Sequence, residues 1–158
     1  MSAALITAAF VGIAALGYAT VLGFTALGPA DVLRHTSLGI FATLVTLLAH
    51  SMTMFYLIGK GRAVREAVQE GQLPVELYRA VARVRRPVFS IATVAMGLTM
   101  ATAIMGGGVD TDTVPAVVHS VLALAAVAAN LAALRTEIIA MLSSARIVAE
   151  VDQLLEDR

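Results

Sequence analysis

The stretch Arg83–Met105, RVRRPVFSIATVAMGLTMATAIM, decides how the rest of the chain is read. Three arginines crowd its start, and then nineteen residues from Pro87 to Met105 pass without a charged side chain. About 20 mainly apolar residues in a helix cross a hydrocarbon core roughly 30 Å thick. A cluster of basic residues at one end marks the cytoplasmic side of such a helix. Pro87 suits its first turn, where a missing N–H costs nothing.

Outward from this segment, three more apolar stretches follow the same rule. Residues 3–27 and 115–134 carry no charge, and residues 32–58 carry only Arg34. With residues 87–105 they make four expected spans. The first lacks a basic leader and is longer than the usual apolar core of a signal peptide, so it reads as a retained helix. Gly28-Pro29-Ala30-Asp31 is a tight turn between the first two spans, and Gly106 to Thr113 reads as a flexible turn between the last two. Asp31 and Pro115 fit the starts of helices two and four.

Composition agrees. Of 158 residues, 59% are hydrophobic and 14% charged, where a soluble domain has about 25% charged. The mean hydropathy of +0.87 exceeds what a small soluble fold can hide, because much of its surface stays wet. Net charge is zero, which gives no footprint for nucleic acid. The absence of cysteine excludes disulfides, thiolate-bound zinc or iron–sulfur clusters, and thioether-linked haem. The expected fold class is all-α: an integral membrane four-helix bundle with cytoplasmic helical extensions, forming a single membrane domain over residues 1–158.

Orientation follows from the basic residues. Lys60, Arg62, Arg65, Arg79, Arg83, Arg85 and Arg86 lie in the loop 59–86, and Arg135, Arg146 and Arg158 follow span four. Arg34 alone lies on the other side. The positive-inside rule then places the loop, the tail 136–158 and both termini in the cytoplasm, most simply at a bacterial inner membrane. Lys60 to Glu70 reads as a continuation of span two, with Arg62 and Glu66 at facing positions. Pro74 to Arg86 reads as a short amphipathic helix of its own. In the tail, Met141, Ser144, Val148, Val151 and Leu155 recur at steps of three and four, as in a helix-pairing seam. That seam fits either a docking surface for a partner or a second copy, or packing against the chain's own loop and the lipid headgroups.

Small residues at four-residue spacing let helices approach closely in lipid. Ala15, Ala19 and Gly23 do so in span one, Thr93, Gly97 and Ala101 in span three, and the alanines from 123 to 133 in span four. Met96, Met100 and Met105 read as gap-filling or lipid-facing residues.

All three histidines fall within spans, where an ionisable residue is a functional hypothesis by default. His35 follows Asp31 by four residues and His119 follows Pro115 by four, so both lie roughly 6 Å inside the same surface. Pro29-Ala30 precedes one and Pro115-Ala116 the other, as two related hairpins would have it. Two imidazoles at one depth can ligate the iron of haem b from opposite faces, between spans two and four. Gly39, Ala42, Ala123 and Ala126 would give the porphyrin room, and Arg34 could meet a propionate. The plainer reading makes both histidines interfacial. His50, about 22 Å along the helix from His35, has no second histidine opposite. It fits a quinone headgroup, a methionine co-ligand, or a bond to Thr46 or a neighbouring carbonyl. Asn130 reads as an interhelical hydrogen-bonding residue.

No carboxylate lies inside an expected span, and Glu137 falls just past the fourth, which argues against an ion-coupled carrier. No nucleophile triad, phosphate loop or metal-hydrolase motif is present. Two functions remain. One is a non-enzymatic subunit or assembly partner of a membrane complex, acting through the basic loop and tail. The other is a b-type cytochrome with His35 and His119 as axial ligands.

Overall fold

The computed structural model describes residues 2–157. Arg158, counted above among the basic residues, lies outside them. Four helices run α1 (Ser2–Thr25), α2 (Pro29–Glu70), α3 (Glu76–Asp110) and α4 (Ala116–Glu156). The three connections are only a few residues long, so successive helices must lie antiparallel. Contacts join α1 to α2, α3 to α4, α2 to α3 and α1 to α4 around the ring. Across the diagonal α2 meets α4, whereas no contact joins α1 to α3 among the described residues. This skew places the inner faces of α2 and α4 against each other along the bundle axis.

The core inverts the pattern of a soluble bundle. Many of its fully buried positions are small: Ala9, Ala42, Ala92, Ala95, Ala126, Ala133 and Ala140 are all 0% exposed. The large side chains point outward, with Phe10, Phe41, Leu44, Leu48, Phe55 and Ile104 each more than half exposed. Water would penalise so continuous an apolar jacket. Lipid tails would not, and there close backbone approach supplies the association energy. Gly12 shows how close that approach is, since a Cβ there would lie 2.7 Å from the Thr46 hydroxyl and 3.1 Å from its backbone. All four helices contain windows long and apolar enough to cross a membrane.

The extension of α2 beyond residue 58 is observed as expected, and α4 likewise continues unbroken through the tail. Four local expectations are corrected. Residues 74–86 form no helix of their own: from Glu76 on they belong to α3, which carries Pro87 inside it rather than in a first turn. Proline removes one ladder bond, but the flanking turns continue on packed residues, Leu77 and Val81 before it and Val88 and Ala92 after it. Gly106 to Gly108 are helical rather than a flexible turn. Side chains crowd two of these glycines: a Cβ on Gly106 would lie 3.2 Å from the His119 ring, and one on Gly108 would lie 2.6 Å from Val114. Finally, the small-residue face of α3 is Ala92, Ala95, Thr99 and Thr102, whereas Thr93 and Gly97 face outward. The buried face advances by alternating steps of three and four, as a 3.6-residue helix requires, rather than by four throughout.

At the end bearing the basic residues the packing changes character. Val64, Val68, Leu73, Leu77, Val81 and Val151 form a conventional aliphatic core, with Ile147 and Val148 against it. The tail seam therefore meets the end of α2 and the start of α3. Leu155 reaches the turn between them, where a Cβ on Gly71 would strike it. Gln72 turns the chain there in the left-handed region, at φ 46°. On the surface, Glu66 accepts a 2.8 Å bond from Arg62 and so holds that guanidinium above its ordinary pKa. The pair is open to water and contributes little to stability.

Candidate functional site

Two polar sites lie on the bundle axis. The first is at the end where the α1–α2 and α3–α4 turns sit. His35 projects from α2, and its Nδ1 lies 2.8 Å from the Ala19 carbonyl oxygen of α1. His119 projects from α4, and its Nδ1 lies 3.1 Å from the Thr102 carbonyl oxygen of α3. A carbonyl can only accept, so each Nδ1 carries the proton and donates. In the neutral ring, each Nε2 is then left with a free lone pair. A backbone carbonyl at the far nitrogen is also the usual means of fixing the tautomer and rotation of a metal-binding histidine.

The two rings stand with centroids 5.9 Å apart and planes at 80°. Metal–imidazole bonds run about 2.0–2.1 Å and the ring centre lies a little over 1 Å behind the nitrogen, so two imidazoles sharing one metal would have centroids up to roughly 6.3 Å apart. The observed spacing is within a few tenths of an ångström of that. Around the rings is a cavity of about 360 Å³ to which all four helices contribute, including Gly23, Gly39, Ala103, Gly106 and Ala123. Its size falls in the range of small-molecule sites.

The site is built twice, once per hairpin. A Cβ on Gly23 would lie 2.9 Å from the His35 ring, and one on Gly106 would lie 3.2 Å from the His119 ring. In each hairpin, then, a histidine on the second helix leans on a glycine of the first and bonds a carbonyl one turn before it. The related placement of Pro29 and Pro115 marks the same correspondence in sequence. Arg34 is exposed and does not line the cavity. One residue from His35, it is turned about 100° round the helix. Asp110 is the charged residue at the cavity wall.

The second site lies deeper. His50 is completely buried on α2, between two residues of α4 that the sequence alone did not connect with it. Its Nδ1 lies 2.7 Å from Glu137 Oε1, and its Nε2 lies 2.9 Å from Asn130 Oδ1. The Asn130 amide nitrogen donates to Thr99 Oγ1 at 2.8 Å and to the Ala126 carbonyl at 2.7 Å. The Thr99 hydroxyl in turn donates to the Ala95 carbonyl. This chain fixes the amide's orientation, so Asn130 Oδ1 accepts and His50 Nε2 must carry a proton. One proton then remains to be shared along the bond between Nδ1 and Glu137. The pair is neutral overall whether it stands as imidazolium and carboxylate or as imidazole and carboxylic acid.

Glu137 is only 1% exposed, so a carboxylate does face the bundle interior although it lies beyond the expected span. A usable signal was present. Glu137 follows Pro115 by almost the same interval as His50 follows Pro29, and Asn130 lies two turns before Glu137 on the same face. The expected interhelical role of Asn130 is observed, whereas the bond from His50 to Thr46 is not. Of the methionines, Met96 accepts a long bond from the Ser51 hydroxyl and Met100 is half exposed. Comparison of the chain with family models, curated proteins and solved structures found no match.

Proposed function

We propose that this chain is an integral membrane b-type cytochrome, with His35 and His119 as the axial ligands of one haem between α2 and α4. One observation carries the reading: two imidazoles pinned at Nδ1 to backbone carbonyls, their centroids 5.9 Å apart, beside a cavity whose wall includes Gly23, Gly39, Gly106 and Ala123. The pinned carbonyls raise ligand basicity and hold both rings in place without cost to the iron's coordination. The small side chains leave the porphyrin room that larger ones would fill. When bound, such a haem would supply one-electron redox chemistry, with His35 and His119 holding it and the apolar surroundings tuning its potential. The excess of arginines at the opposite end supports an orientation with that end in the cytoplasm, and hence the haem near the outer surface.

The reading as an assembly subunit draws less support. Val148 and Val151, which would form its docking seam, pack against the chain's own Val64, Val68 and Leu77. The deciding experiment is the visible spectrum of the full chain purified in detergent after expression with ample haem. A Soret band with the split bands of a reduced low-spin haem is expected. A colourless protein overturns the assignment.

A further inference from the structure

The cytochrome reading makes no use of the second polar site, and that site is costly. A histidine and a glutamate buried in the middle of an apolar bundle are retained only where they are paired, and in membranes such pairs mark proton-handling positions. Here the pair is surrounded by hydroxyls that have no hydrogen-bond partner among the described residues: Thr46, Thr53 and Ser144, with exposures of 0%, 0% and 2%. Their order along the axis is informative. Ser144 lies two turns beyond Glu137 toward the basic end, and Thr53 lies about one turn beyond His50 in the same direction. Thr46 lies one turn the other way, and Thr43, one further step along α2, lines the histidine cavity. The inner face of α2 therefore carries hydroxyls between the cavity and the pair, and beyond Ser144 the inner faces become the aliphatic core of Val148, Val151, Val64 and Val68.

We propose that His50 and Glu137 form a proton-binding site whose occupancy rises when the haem site gains an electron. The inference rests on the cytochrome reading. The balance is simple. The pair holds one mobile proton and is neutral. When a one-electron donor, in the test below a redox mediator, gives up an electron to a haem held by His35 and His119, the pair would take one proton from bulk water to become imidazolium beside carboxylic acid. Few other charges act on it. α1 carries no charged side chain over Ser2–Thr25. α3 presents the neutral Thr99 at the pair and, nearer the basic end, Arg85, whose guanidinium lies against Gly61 of α2. The nearest charges on α2 and α4, Lys60 and Arg135, lie outside the inner faces. Unit charges about 22 Å apart at an effective dielectric near 20 alter proton affinity roughly four-fold.

The test is the haem midpoint potential of the full chain in lipid nanodiscs between pH 5 and 9. In the wild type a four-fold linkage lowers the potential with rising pH by about 35 mV in all, at about 59 mV per tenfold for one electron. Glu137→Gln keeps a hydrogen bond to Nδ1 but cannot share the proton, so it should remove that component while leaving the Soret band unchanged. His50→Gln should do the same. A flat wild-type curve overturns the inference without needing any variant to fold. A pH dependence that survives in both Glu137→Gln and His50→Gln overturns it as well. Absence of a Soret band from the wild type removes the cytochrome reading and this inference together, whereas a band with no linkage removes only the inference.

Discussion

The two histidine sites differ in what satisfies the rings. At the turn end, His35 and His119 each spend one nitrogen on a backbone carbonyl and keep the other in a cavity walled by glycine. At mid-bundle, His50 is fully buried and spends both nitrogens on side chains. A ring with one free lone pair can ligate. A ring with two filled positions can only hold or pass a proton. The same residue type on the same face of α2, about four turns apart, is thereby given two chemistries by its neighbours.

The largest effect that could break this contrast is spectroscopic. His35→Ala and His119→Ala should each abolish the low-spin haem spectrum, while His50→Gln should retain it. Retention in either of the first two would mean that the rings are not the axial pair. Next comes stability. Removing one partner from a buried ionic pair costs about 3–5 kcal/mol because the other is stranded, so Glu137→Ala should lower unfolding free energy in detergent by that order. His35→Ala in the haem-free protein should cost less, since it gives up one bond to an exchangeable carbonyl and opens an existing cavity. Equal losses would mean that the two sites are structurally alike.

A third comparison stays within the cavity. Gly23→Ala and Gly106→Ala each place a methyl group against a ligand ring, at 2.9 and 3.2 Å. A histidine turned from its carbonyl loses a tautomer-fixing bond, and such losses weaken metal sites by about 10–100-fold. Haem titration of the two variants should show that loss, larger for Gly23→Ala. Unchanged affinity in both would show that the rings have slack the geometry does not suggest.

How much of this could be read from residues alone divides along the same line. The four helices, the turn-end pairing of His35 with His119 and the continuation of α2 and α4 past their apolar windows follow from hydropathy and from counting depth. Periodicity and charge are local properties, and they survive without a fold. The partners of His50 were not legible, because Glu137 was placed by hydropathy on the wet side of a boundary. Burial there is set instead by the extension of α4 alongside α2 and α3, in the packing that surrounds Met141 and Val151. The glycines were misread for a related reason. Gly106 to Gly108 resemble a loop by composition, and only the proximity of His119 and Val114 shows why small residues are needed in a helix. Arg34 was drawn to the site by adjacency in sequence, which on a helix means facing elsewhere.

The finest test uses two glycines that no neighbour constrains. Neither Gly39 nor Gly97 has an atom within 4 Å of a built Cβ. Both lie inside helices, so alanine should raise the stability of the haem-free protein by up to about 1 kcal/mol at either position through helix propensity. They differ in one respect: Gly39 lines the histidine cavity and Gly97 faces outward. If the porphyrin lies between α2 and α4, the methyl at residue 39 occupies space that the ring needs, and haem binding offsets the gain. Gly97→Ala should then stabilise the haem-free and haem-bound forms equally, while Gly39→Ala stabilises only the former. Thermal melts of each variant with and without haem measure the difference directly. Equal gains in all four melts would place the macrocycle somewhere other than against the α2 face that carries His35.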